Sequence, residues 1–285
     1  MDETTQRFPV ADDLHLSGDV VGDESAPCVL LLHGGGQTRH SWQGTARWLA
    51  EAGFRAIAFD LRGHGESDWA ADGDYTIDAY AADVRALVAH VGGRPALVGA
   101  SLGGMASLAA VGEEPRVDCS ALVLVDIAPH MEEEGKDRIG GFMRSRPDGF
   151  ASVEEAADAV AEFLPHRPRP RDPGGLLKNL RRMPNGRYRW HWDPAFMSSG
   201  LGQQVNRPDR FEDAARALDI PTLLVRGGMS EIISERSVAE FRALVPSAEY
   251  VNVRRASHMG AGDRNVPFSA GVVEFLTRRV LETPR

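Results

Sequence analysis

Cysteine is nearly missing from this chain. Two residues in 285, Cys28 and Cys119, are too few for a disulfide framework, and each borders a strand-like run where it reads as a small buried hydrophobe. No CxxC pair, Walker loop, HExxH or Gly-x-Gly-x-x-Gly order occurs, so the usual signatures of a metal site or a nucleotide fold are missing and no cofactor or metal is expected. No apolar run is long enough to span a bilayer, and the opening MDETTQRFPV lacks the apolar core of a secretion signal. A cytoplasmic protein without membrane contacts is the expectation. Lysine is scarce too, present only at Lys136 and Lys178 among 32 basic residues, which fits a coding bias better than a physical need.

A formal net charge of -9 argues against a nucleic-acid partner, because phosphate binding needs a concentrated basic surface. One local cluster runs the other way: between His166 and Arg189 eight basic side chains gather among prolines. A solvated loop and helix face is the preferred reading, ahead of a site steering an anionic substrate and of a nucleic-acid patch. Hydrophobic content of 42% and charged content of 26% are those of an ordinary globular protein.

Short, nearly continuous apolar runs at 28–32, 56–59, 96–98, 121–125, 222–225 and 250–253 are what strands covered on both faces require. Helical patterns at 45–52, 77–91, 105–111 and 237–244 alternate with them, and 268–279 repeats apolar residues at helical spacing. Such alternation predicts an α/β fold with a mostly parallel, doubly wound sheet. The pattern breaks between about His130 and Ala217, where no convincing strand is visible. We therefore expect a core of 1–129 and 218–285 interrupted by a helical lid at 130–217.

Gly99-Ala100-Ser101-Leu102-Gly103 lies between a predicted strand and a predicted helix. In that setting a G-x-S-x-G pattern presents its serine on a sharp turn above the sheet, as a nucleophile. A glycine-rich turn serving only close packing is the competing reading. A serine needs a base, and the base needs an orienting acid. His258, just after the 250–253 strand, is the best placed of nine histidines. Glu231, after the 222–225 strand, gives the chain order serine, carboxylate, histidine, while Asp126 at the end of the 121–125 strand remains an alternative acid. His33-Gly34-Gly35-Gly36 follows the first apolar strand, and we assign the oxyanion donors to the amides of Gly35 and Leu102, with His33 as a buried structural imidazole. The Asp60 to Asp68 loop is read as structural.

LLLHGGGQTRHSW, FDLRGHGESDW, VGASLGG, LVLVDIAP, LLVRGGMSE and ASHMGAGDRN, in this order, resemble the α/β-hydrolase superfamily over nearly the whole chain. The likeness is to bacterial lid-bearing members often labelled epoxide hydrolases or cofactor-free haloperoxidases. Epoxide hydrolases of this fold use an aspartate nucleophile and a pair of lid tyrosines, whereas this chain has Ser101 and only Tyr188 in the expected lid. The resemblance therefore implies an ester- or lactone-cleaving serine hydrolase acting on a partly apolar small molecule. Carbon-carbon bond hydrolysis, perhydrolysis and a non-catalytic ligand-binding role are the alternatives. Phe142, Met143, Trp190, Trp192, Phe196 and Met197 are candidates to line the pocket, with Gly36 and Met259 beside it. A homodimer is left open.

Overall fold

A computed structural model describes residues 3–165, 169–254 and 266–282. Its strands are β1 (Thr4–Ala11), β2 (Leu14–Val21), β3 (Cys28–Leu32), β4 (Arg55–Phe59), β5 (Ala96–Ala100), β6 (Ala121–Val125), β7 (Leu180–Arg182), β8 (Tyr188–Trp190), β9 (Thr222–Gly227) and β10 (Glu249–Val253). The helices are α1 (Gln43–Glu51), α2 (Ile77–Val91), α3 (Leu102–Gly112), α4 (Glu133–Arg144), α5 (Val153–Phe163), α6 (Leu201–Val205), α7 (Pro208–Arg216), α8 (Glu235–Leu244) and α9 (Val266–Leu276).

Eight strands form one sheet in the order β1-β2-β4-β3-β5-β6-β9-β10, parallel from β4 to β10 and antiparallel at the β1-β2 edge and between β2 and β4. The central strands are apolar throughout because both faces are covered. Leu30, Leu32, Leu97, Leu122 and Leu124 point into the layer shared with α2 and α3, and the intervening Val29, Leu31, Val98, Val123 and Val125 point into the layer shared with α1 and α9. Each such side chain contributes about 1.5–3 kcal/mol of burial. Helix α3 is buried on every side, so LGGMASLAAVG needs no polar stripe.

Two features depart from the expectation. The β1-β2 hairpin was not anticipated, since Phe8 is the one fully buried residue of β1 and Pro9 interrupts it. The stretch expected to hold no strand contains the antiparallel pair β7-β8, with Arg181 opposite Arg189. Both guanidinium groups lie over the Trp69 ring, at 4.7 and 5.1 Å from its centre. Helices α4 to α7 and this hairpin lie between β6 and β9 in the chain; α4 and α6 line a cavity over the carboxyl end of β5, while α7 packs along α3, Ala214 meeting Gly112. Among the described residues, no helix is long and apolar enough to cross a membrane.

Candidate active site

Ser101 ends the turn from β5 into α3 with φ 44° and ψ -111°, a region that side-chain-bearing residues avoid at a cost of about 1–3 kcal/mol. The turn is held in place from both sides. Ser101 N–H donates to Val125 O at 3.0 Å, and Ser101 O accepts from Met105 N–H at 2.8 Å. Close approach also explains the flanking glycines: a Cβ at Gly99 would lie 2.4 Å from Gly103 O, and one at Gly103 would lie 2.5 Å from Leu32 O.

The turn after β3 lies beside the serine. A Cβ on Gly34 would stand 3.3 Å from Ser101 Cβ. Its neighbouring amides are committed: Gly34 N–H donates to Gln37 Oε1 at 3.0 Å, Gly36 N–H to His64 Nε2 at 3.1 Å and Gly103 N–H to His33 O at 3.1 Å. The amides of Gly35 and Leu102, by contrast, have no acceptor among the described residues. Two unpaired donors beside a strained serine are what a developing oxyanion requires.

A cavity of about 580 Å³ opens over Ser101, Gly35 and Leu102. Met105, Met131, Met143, Met197, Phe196 and Ile232 supply much of its apolar wall, and Glu133, Lys136, Asp137 and Arg144 of α4 also face it. Of the residues named from the sequence, Met143, Phe196 and Met197 line the cavity. Trp190 and Trp192 do not, which corrects the expectation. They are 8% and 6% exposed and stack on each other at 5.3 Å, Trp190 packing on Phe150 and Trp192 against Gly36. Phe142 stacks on Phe163 instead. Gly36 sits behind the cavity wall, its amide taken by His64. Met105, Met131 and Ile232 were missed, because nothing in their spacing says which face of the fold turns inward.

The two carboxylates offered by the sequence stand in opposite environments. Asp126 is 2% exposed at the end of β6, with φ 53°. Its Oδ1 accepts from Gly227 N–H at 3.0 Å and its Oδ2 from Ser230 O–H at 2.6 Å. Glu231, the next residue after Ser230, turns outward: its side chain is 54% exposed and pairs with Arg138 of α4. That placement weighs against the preferred acid and favours the alternative. His258 and Met259 lie outside the described residues.

His33 is the buried structural imidazole expected. Burial depresses it to about 4 and its neighbour His64 to about 3, and holds His191 well below the ordinary imidazole value. The loop after β4 is organised by Asp60, which accepts from Arg39 N–H at 2.7 Å and Glu66 N–H at 2.9 Å while pairing with the Arg39 guanidinium. Arg62 is clamped by Asp83 through two bonds, at 2.6 and 2.5 Å.

Comparison with known families matches residues 27–264 to the model of the α/β-hydrolase fold. The chain belongs to the α/β-hydrolase family. Among curated relatives, this α/β hydrolase is 31% identical over 243 residues to the esterase Rv0045c of Mycobacterium tuberculosis, covering 82% of this chain and 73% of the relative. It is 28% identical over 222 residues to a non-heme haloperoxidase of Rhodococcus erythropolis, covering 74% of this chain and 78% of the relative. A solved structure of the M. tuberculosis esterase superposes with a TM-score of 0.74 at 28% identity, covering 99% of this chain and 92% of that one. E-2-(acetamidomethylene)succinate hydrolase superposes with a TM-score of 0.84 over 96% of this chain and 99% of its own, and at 24% identity that likeness speaks for the fold.

Proposed function

We propose that this α/β hydrolase cleaves carboxylic esters, lactones included, through an acyl-enzyme on Ser101. The observation that carries the reading is a strained serine at the carboxyl end of β5 whose nearest turn leaves the Gly35 and Leu102 amides free at the floor of an apolar cavity. The 31% identity to an esterase supports the ester class.

In this mechanism Ser101 Oγ attacks the carbonyl carbon as His258 takes its proton. Negative charge gathers on the carbonyl oxygen, where the Gly35 and Leu102 N–H groups receive it. His258 then gives the proton to the departing alkoxide, and water repeats the sequence on the acyl-enzyme, returning Ser101 and releasing the acid. We assign the supporting acid to Asp126 in place of Glu231. A buried carboxylate held by two donors can keep an imidazolium company, whereas Glu231 is engaged by Arg138 at the surface.

The segment between β6 and β9 serves as the lid in this reading. Methionines are flexible and polarisable, so the four that line the cavity suit acyl chains of varied shape better than one rigid substrate. Hydrolysis of p-nitrophenyl butyrate and octanoate by the wild type and Ser101→Ala tests the proposal. Turnover lost with the serine hydroxyl is the expected result. Undiminished turnover by Ser101→Ala overturns the reading.

A further inference from the structure

Three buried imidazoles stand in ring contact behind the turn that carries Gly35. His33 and His64 have ring centres 5.2 Å apart, and His64 and His191 have theirs 5.7 Å apart. All three bind backbone groups, and the backbone partners settle which nitrogen carries the proton, since an amide N–H can only donate. His33 Nε2 accepts from Leu61 N–H at 3.0 Å, so its Nδ1–H donates to Gly34 O at 2.7 Å. His64 Nε2 accepts from Gly36 N–H at 3.1 Å, so its Nδ1–H donates to Arg62 O at 2.9 Å. His191 Nδ1 accepts from Gly65 N–H at 2.7 Å, so its Nε2–H donates to Gly36 O at 3.3 Å.

Peptide planarity turns these contacts into an aiming device. Gly35 N–H shares a rigid plane with Gly34 O and points the opposite way, so whatever holds that carbonyl aims the amide. Gly34 O is held twice, by His33 and by Gln37 N–H at 3.1 Å. The Gln37 amide in turn shares its plane with Gly36 O, which is the atom that His191 grips. An unbroken chain of hydrogen bonds and planes therefore runs from His191 through Gly36 and Gln37 to Gly34 O and the Gly35 amide.

His33 and His64 belong to the loops after β3 and β4. His191 does not: it leaves β8, within the segment between β6 and β9. That segment also grips the loop after β4, through Arg181 Nη2 to Gly65 O at 2.6 Å and Asp193 N–H to Gly63 O at 2.9 Å.

We infer that His191 is a positioning residue for ester hydrolysis, one that aims the Gly35 amide at the oxyanion from the segment inserted between β6 and β9. This rests on the acyl-enzyme reading above. His191 is 2% exposed, and burial, His64, His33 and the Arg181 guanidinium together oppose its protonation, so the tautomer that makes both bonds persists at neutral pH. An oxyanion donor matters only where negative charge develops. Loosening it therefore lowers kcat and leaves ground-state binding nearly untouched.

The test compares His191→Asn with His191→Gln, using p-nitrophenyl butyrate for kcat and KM and an alkyl trifluoromethyl ketone as a mimic of the tetrahedral adduct. Asparagine offers its oxygen to Gly65 N–H but does not reach Gly36 O. Glutamine reaches Gly36 O with its amide N–H. Asparagine is expected to lower kcat about 10- to 100-fold with KM within about threefold, and to weaken the ketone by the same factor as kcat/KM. Glutamine is expected to restore kcat to within about fivefold of wild type. A wild-type kcat in His191→Asn, a change confined to KM, or a glutamine variant no better than asparagine overturns the inference. Nitrogen-15 NMR of the wild-type imidazole provides a check that needs no variant: a neutral ring protonated on Nε2 is expected, and an Nδ1–H ring or an imidazolium at pH 7 overturns it. Wild-type adduct formation that disappears in Ser101→Ala confirms the acyl-enzyme chemistry separately. Failure of that control strikes the parent reading, not the geometry around His191.

Discussion

Exchanging the Asp126 carboxylate for an amide separates chemistry from stability, because the structure keeps the two effects unequal. In Asp126→Asn the side-chain oxygen still accepts from Gly227 N–H, but the new NH2 faces Ser230 Oγ, which already accepts from Ile232 and Ile233 N–H, so the second bond is lost. Hydrogen bonds to a charged acceptor are worth about 1.5–3 kcal/mol each and neutral ones about 0.5–1.5, so losing one and weakening the other is expected to cost about 2–4 kcal/mol and leave the variant folded. The amide offers no charge to an imidazolium. In a serine triad that change lowers kcat by about 10⁴, or about 5.5 kcal/mol of barrier. Glu231→Gln is the matched control. Its carboxylate is 54% exposed against an Arg138 side chain 36% exposed, a surface pair worth about 0.2–1 kcal/mol. Steady-state p-nitrophenyl butyrate hydrolysis, with urea unfolding of each variant, reads both quantities. Full activity in Asp126→Asn together with a collapse of kcat in Glu231→Gln would refute the assignment and restore the glutamate.

Acid should destabilise the fold through its buried histidines. His33 and His64 titrate near 6.5 when unfolded but only at about 4 and about 3 when folded. Between those values and 6.5 the unfolded chain binds protons that the folded chain refuses, so stability is fully present above about pH 6.5 and falls by about 1.4 kcal/mol per histidine per pH unit below it. Melting temperatures that stay constant from pH 7 to pH 4.5 would contradict this. Arg62→Ala leaves Asp83 buried and unpaired and is expected to cost about 3–5 kcal/mol in chemical denaturation. Met143→Ala opens the cavity wall, so the preferred p-nitrophenyl ester should shift to a longer acyl chain, as an ester series at fixed temperature would show.

The central strands were legible because burial on both faces leaves a continuous apolar run, as at Cys28–Leu32 and Ala121–Val125. The β1 edge was not, since a strand with one covered face and an exposed one carries TTQRFPVA, which has no such run. The glycines after β3 and around Ser101 drew attention as turns of close approach, and the two turns do meet, a Cβ on Gly34 standing 3.3 Å from Ser101 Cβ. Side-chain direction within a loop was beyond reach. Ser230 and Glu231 are adjacent in the chain, yet one faces Asp126 and the other faces Arg138. The tryptophans misled for a related reason: an aromatic cluster announces burial but not whether it lines a cavity or seals a segment onto the core, and Trp190 and Trp192 do the latter. His191 escaped notice because its role exists only through two backbone groups far away in sequence.

Intact-protein and peptide mass spectrometry after treatment with a fluorophosphonate tests the central claim most directly. The account predicts a single adduct on the peptide containing Ser101, formed by the wild type and absent from Ser101→Ala. An adduct on another serine, or ester turnover that survives in Ser101→Ala, would contradict it.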